Sequence, residues 1–191
     1  MTTESAHSAM AEPVFDHLLT GEEFFDLGDI GPCELVDGTI VTMTPTGAAH
    51  GKIEVRLARL LDEYVEKSGI GWVLSGEVGI ITKRNPDRVR GADVAFLSRE
   101  QATDIPDGFL TIAPELVVEI VSPNDRWKDI REKIDEYFAI GVKQVWIVEP
   151  QPRQILAYTS PTEAVRYNAG DKLSAAHGLS GLEIAVDRIF A

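Results

Sequence analysis

The chain has 191 residues, 44% of them apolar and 26% charged, which is the balance of a globular protein with room for one sizeable core. Its formal net charge of −13 counts against tight non-specific binding to a polyanion, since such binding rests on Lys and Arg neutralising phosphates. Cys33 is the only cysteine, which excludes an internal disulfide and a cysteine zinc cluster, and no apolar run is long enough to span a membrane.

Residues 1–13 are small and polar and read as a disordered tail, with one domain expected over residues 14–191. The first dozen residues carry no basic stretch and no apolar h-region, so the expected location is the cytoplasm. Thr20 to Leu27 reads as a short helix, capped by Thr20 with Glu23 as its capping-box partner. Asp37-Gly38 between two β-prone runs predicts a hairpin over Glu34 to Val41. After Pro45 and Gly47, the residues Ile53, Leu57, Leu60, Leu61 and Tyr64 recur at helical spacing, and Gly69 and Gly71 stop the helix they define. His50 falls one turn before Ile53, and Glu54 one turn after His50.

Trp72-Val73-Leu74 and Val78 to Ile81 read as strand, with Gly76 as a break or bulge. A turn at Asn85-Pro86-Asp87 precedes Asp93 to Leu97, a buried-type strand that opens on a carboxylate. Leu116 to Val121 is a second apolar run, and Glu119 lies inside it. A lone buried charge is expensive, so such a glutamate requires a partner, a metal or a shifted pKa. Pro123 ends that strand, and Asn124 or Asp125 is a candidate cap for the next helix, whose buried face is Trp127, Ile130, Ile134, Tyr137 and Phe138. Lys133 lies at the edge of that face, within reach of Glu119, and Gly141 ends the helix. Gln144 to Val148, Ile155 to Tyr158, Ala164 to Tyr167 and Leu182 to Val186 read as further strands. The order of elements predicts an α/β or α+β fold, a mixed sheet flanked by helices.

Asp93, Glu119 and Lys133 form the constellation that carries chemistry. Two carboxylates and a backbone carbonyl suit a hard divalent cation, Mg²⁺ or Mn²⁺. A nearby lysine orients water and stabilises charge on a phosphorane, while the cation acts as Lewis acid in attack on a phosphodiester. Simpler readings stand beside this one. Lys133 pairs with Asp129 one turn earlier, Glu119 pairs with Arg90 or Arg126, His50 is a cap or core histidine, and Glu34 faces solvent in its hairpin.

Gly91-Ala92-Asp93-Val94-Ala95-Phe96, Pro114 to Pro123, Asp125-Arg126, Asp129, Lys133, Tyr137, Gly141-Val142 and Val145 to Pro150 together resemble the bacterial Uma family of restriction-endonuclease-like proteins, within the PD-(D/E)XK phosphodiesterase superfamily. Glu34 to Gly38, Met43, Pro45 and His50 resemble the family's opening, and the likeness runs from about Thr20 to Tyr158. It implies a restriction-endonuclease-like core and Mg²⁺- or Mn²⁺-dependent endonuclease activity on DNA. Asp93, Glu119 and the Ile120 carbonyl would be its metal ligands and Lys133 its catalytic lysine, with His50, Glu54 and Glu34 as accessory groups. Ala92 stands where the motif has proline, and Val121 where the superfamily's name places lysine, so that Lys133 on the following helix takes the lysine's part. Cleavage of both strands by a small nuclease favours a symmetric homodimer. The alternative is a catalytically silent interaction or scaffold protein on the same fold, which the net charge and the lack of a basic arm favour.

Overall fold

The computed structural model describes residues 15–175 and 177–191; the tail expected over residues 1–13 lies outside them. In chain order the elements are α1 (Gly21–Asp26), β1 (Cys33–Val36), β2 (Thr39–Thr42), α2 (Ala48–Ser68), β3 (Gly71–Lys83), β4 (Arg88–Ser98), β5 (Leu116–Ile120), α3 (Trp127–Ile140), β6 (Gln144–Glu149), β7 (Gln154–Ser160), β8 (Glu163–Asn168), β9 (Lys172–Ser174), β10 (Glu183–Ala185) and α4 (Val186–Phe190). No described helix is long and apolar enough to cross a membrane.

Local chemistry sets most of these bounds. Thr20 and Glu23 close a capping box at the start of α1. Asp37 and Gly38 both take positive φ, as a two-residue hairpin turn requires, and join β1 to β2. α2 ends on Gly69 in the left-handed conformation, and α3 ends the same way on Gly141. Three expectations are corrected. The two short runs around Gly76 are one strand of 13 residues, β3, carrying a register shift between Ser75 and Val78. Neither Asn124 nor Asp125 caps α3; its N-cap is Arg126, without a side-chain bond, and Asp125 instead accepts the Ser122 N–H in the preceding turn. Trp127, placed on the buried face, is 43% exposed because it starts the helix beyond the sheet's cover. The strand read over Leu182 to Val186 is found at Glu183–Ala185, and α4 follows it directly from Val186.

Eight strands form a mixed sheet, mostly antiparallel, in the order β2-β1-β4-β5-β6-β7-β8 with β3 on the other edge of β4. The parallel pair is β5 and β6, and α3 is the crossover between them. α2 and α4 cover one face, burying Leu57, Leu61, Phe96, Val118 and Trp146. α3 covers the other, burying Val117, Ile134, Tyr137, Val145 and Ile147.

One feature of the topology places the site. β3 pairs with β4 along its whole length, so β1 and β5 share the other edge. β1 pairs at Val89, and β5 takes over only from Val94. Between them the sheet forks at Arg90 to Asp93. Backbone polar groups that a ladder would satisfy must find side chains there.

Candidate metal centre at the sheet fork

Side chains from five elements close the fork. Asp93 Oδ2 accepts the Ile120 N–H at 2.6 Å, beyond the last ladder pair of β4 and β5. Glu34 on β1 accepts the Gly91 N–H at 3.1 Å, and Lys133 on α3 donates to the Gly91 carbonyl at 3.4 Å. The polar residues of the site are therefore also what holds the two halves of the β4 edge together.

Lys133 Nζ lies 3.1 Å from Glu119 Oε2 and 2.8 Å from Glu34 Oε1. It makes no ion pair with Asp129, so the simple helix-surface reading does not hold among the described residues. Tyr137, one turn further on, donates its hydroxyl to Glu119 Oε1 at 2.6 Å. Neither Arg90 nor Arg126 pairs with Glu119. Arg90 donates to Glu34 at 2.9 Å and grips Glu136 through two bonds of 2.7 and 2.8 Å. Glu34 is buried rather than facing solvent.

On the α2 side His50 Nε2 lies 3.3 Å from Asp93 Oδ1, and Nδ1 is 4.0 Å from Glu54 Oε2. His50 Nδ1 is buried and has no hydrogen-bond partner among the described residues. Glu54 Oε1 accepts the Gly76 N–H at 3.0 Å, tying α2 to the bulge of β3. One ligand atom each from His50, Glu54 and Asp93 lie within 4.8 Å of one another. Asp93 and Glu119 line one cleft of about 530 Å³ together with Glu34, His50, Glu77, Arg90, Ile120 and Lys133.

The electrostatics are those of a site with excess negative charge. Burial lifts the Glu119 carboxyl to about 7, against the opposing charge of Lys133 and with a further push from Asp93. Burial and the Asp93 charge also raise Glu54 and Glu77. Burial alone would lower His50, but the Asp93 hydrogen bond and the charges of Asp93, Glu54 and Glu77 hold it above its ordinary value. Lys133 behaves oppositely to an isolated buried lysine. Burial works against its charge, yet Glu119 and Glu34 keep its proton well above the ordinary lysine range. Glu34 stays below the usual carboxylate range: burial would raise it, but Lys133 and Arg90 outweigh burial.

This donor set fits a hard divalent cation. The imidazole of His50 and carboxylate oxygens of Glu54 and Asp93 converge from α2 and β4, while Glu119 on β5 lines the same cleft with its oxygens held by Lys133 and Tyr137. The crowding of negative charge is what such a cation relieves. Of the residues singled out from sequence, the fork brings together Asp93, Glu119, Lys133, His50, Glu54 and Glu34, with Ile120 in the same cleft. Sequence reading missed the site roles of Tyr137, Arg90 and Glu77. Tyr137 reads as core from its spacing, and it is fully buried; only its hydroxyl reaches the site. Glu77 had no signal other than the neighbouring Gly76.

The mixed sheet between helices, with acidic, histidine and lysine side chains at its fork, makes this a restriction-endonuclease-like α/β protein. Residues 22–187 match the model of the Uma2 family, described as "Putative restriction endonuclease", and the chain belongs to that family. A solved structure from Anabaena variabilis ATCC 29413, titled a "putative nuclease belonging to DUF820", shares the fold at a TM-score of 0.76, with 18% identity over 90% of this chain and 97% of that one. Comparison with curated proteins gives no match.

Proposed function

We propose that the protein is a divalent-metal-dependent nuclease that hydrolyses DNA phosphodiester bonds at the sheet fork. The observation that carries this reading is the convergence of Asp93, Glu119 and Lys133 in one cleft, with His50 and Glu54 beside Asp93. Family membership and the fold support it. Asp93, Glu119 and the Ile120 carbonyl would hold Mg²⁺ or Mn²⁺, with His50 and Glu54 as further donors on the α2 side. When bound, the cation supplies Lewis-acid activation of the phosphoryl group and of water.

The chain's own residues supply the rest. Lys133 keeps its proton at neutral pH, so it acts as a fixed positive charge toward a phosphate oxygen and not as a general base. Glu34 and Arg90 hold that ammonium at the fork. Tyr137 fixes the rotamer of Glu119.

A second reading, a catalytically silent interaction protein, draws support from the cations around the fork. Lys83, Arg84, Arg88 and Arg90 are all tied to carboxylates, which leaves few for phosphates. Plasmid cleavage with Mg²⁺ and then Mn²⁺, comparing wild type with Asp93→Asn, Glu119→Gln and Lys133→Met, decides between the two. Cleavage lost in all three folded variants is the expected result. Absence of both cleavage and Mn²⁺ binding in wild type would overturn the nuclease reading.

A further inference from the structure

A second cavity, of about 440 Å³, opens beside the metal cleft and shares the side chain of Glu77 as a wall. Its volume falls in the range of small-ligand pockets, about 300–1,000 Å³. Phe24 and Phe25 from α1 and Phe109 from the loop before β5 line it. The Phe25 and Phe109 rings stand at 83° with centroids 5.2 Å apart, and Phe24 and Phe109 lie 5.5 Å apart. Phe109 sits directly on the bare backbone of Gly79, where an added Cβ would come within 2.1 Å of the ring. Phe25 is 49% exposed, so this aromatic corner faces outward as well as into the cavity.

Glu77 is the polar group at the boundary. It occupies the bulge of β3 with φ of 59°, a backbone conformation rarely taken by a side-chain-bearing residue. Its carboxylate packs over Gly91, whose missing side chain makes the room: a Cβ there would lie 2.6 Å from Glu77 Oε2. Among the described residues no side chain or backbone N–H donates to Glu77 within hydrogen-bond distance. The strained bulge thus holds an exposed acceptor, engaged by no described side chain, between the metal cleft and the aromatic corner.

We infer that the Phe25–Phe109 cavity is a nucleobase pocket that takes one unstacked base next to the cleaved phosphate, with Glu77 accepting the base's exocyclic amine. This rests on the nuclease reading for its substrate. Aromatic rings bind bases by their π faces whatever the sequence, and a carboxylate acceptor adds a preference for amine-bearing bases. Cytosine, adenine and guanine offer that amine; thymine does not. The occupant is a base and not a peptide side chain because the cavity adjoins the metal cleft, with Glu77 lining both, so a strand whose phosphate enters the cleft has a base within reach of the aromatic corner.

The test uses the full chain, Ca²⁺ in place of Mg²⁺, and fluorescence anisotropy of labelled 12-nucleotide single strands. Wild type is expected to bind an oligo-dC strand about ten-fold more tightly than its abasic counterpart, and oligo-dT with a smaller advantage. Phe25→Ala, a substitution at an exposed position, should bring the base-bearing and abasic strands within about two-fold of each other. Glu77→Gln should remove the preference for dC over dT while keeping the aromatic contribution. Equal binding of base-bearing and abasic strands by wild type, or a preference untouched by both variants, would overturn the pocket. Metal-dependent plasmid cleavage measured on the same preparations separates the two ideas. Cleavage without base preference removes the pocket alone. Base preference with neither cleavage nor Mn²⁺ binding retains the pocket as a single-strand site and removes the nuclease reading.

Discussion

Lys133 stands nearer to Glu34 than to Glu119, 2.8 Å against 3.1 Å, and so is shared between a hairpin strand and the carboxylate at the end of β5. That sharing closes the sheet fork. It also means that the position and charge environment of Glu119 depend on a residue more than eighty positions earlier in the chain.

Removing the ammonium should slow catalysis severely without unfolding the protein. In Lys133→Met, Glu34 keeps its bonds to Arg90 and Gly91, and Glu119 keeps the Tyr137 hydroxyl. Glu119 can also remain protonated, which relieves the buried charge. Cleavage is expected to fall by about 10²–10³-fold, the usual loss for a group that stabilises transition-state charge. Circular dichroism should remain native; a molten spectrum would show that the ammonium is needed chiefly for structure.

Glu34 and Tyr137 are positioning residues with opposite expected signs. The Glu34 charge pushes the Glu119 carboxyl up, whereas the Tyr137 hydrogen bond pulls it down. Glu34→Gln should therefore move the acid limb of the pH–rate profile to lower pH, and Tyr137→Phe should move it to higher pH. Both variants should reduce the plateau rate by about ten-fold or less, since neither removes a group that touches substrate. Two shifts in the same direction would refute this account of Glu119.

The Glu119 carboxyl near 7 also fixes how metal affinity depends on pH. Its ordinary value is 4.5, so between about pH 5 and 7 the folded carboxyl still holds a proton that a cation must displace. Mn²⁺ affinity should rise by up to about ten-fold per pH unit across that window and flatten above it. In the metal-free protein the sign is the reverse for stability. The raised carboxyl contributes stability in full below about pH 4.5, and that contribution is lost as pH rises through about 7. Calorimetry in two buffers of different ionisation enthalpy counts the protons released, and Glu119→Gln should remove about one of them. No change in proton release would take Glu119 out of the ligand set.

The sequence shows Asp93, Glu119 and Lys133 because each violates its local pattern: a carboxylate opening an apolar strand, another inside one, and a lysine at the edge of a buried helix face. His50 and Glu54 are legible as a helical pair but not as partners of Asp93, since nothing local says that the start of α2 lies over β4. Glu34, Arg90 and Glu77 are harder still. Their roles come from the fork and the bulge, which arise from how β1, β3 and β5 divide the two edges of β4. Strand pairing of that kind is set by residues far apart in sequence, and a bulge marked by one glycine does not announce which neighbour it will aim.

Arg90 gives the sharpest stability prediction. It is buried, bonded to buried Glu34 at 2.9 Å, and bidentate on Glu136. The side chains of all three are at most 12% exposed. Surface ion pairs contribute little, but removing one partner of a buried pair leaves a charge that the interior cannot solvate. Arg90→Met strands Glu136 with only Arg88 and Thr82, and strands Glu34 with only Lys133 and the Gly91 amide. The expected cost is about 3–5 kcal/mol, read as a lower urea midpoint at unchanged slope. Arg90→Lys keeps the charge but not the planar fork that spans both carboxylates, so it should recover only part of the loss. Lowering the pH should narrow the gap between Arg90→Met and wild type, because a stranded carboxylate is relieved by protonation. A gap that stays constant from neutral pH down to about 4 would mean that Arg90 contributes through packing of its stem rather than through charge.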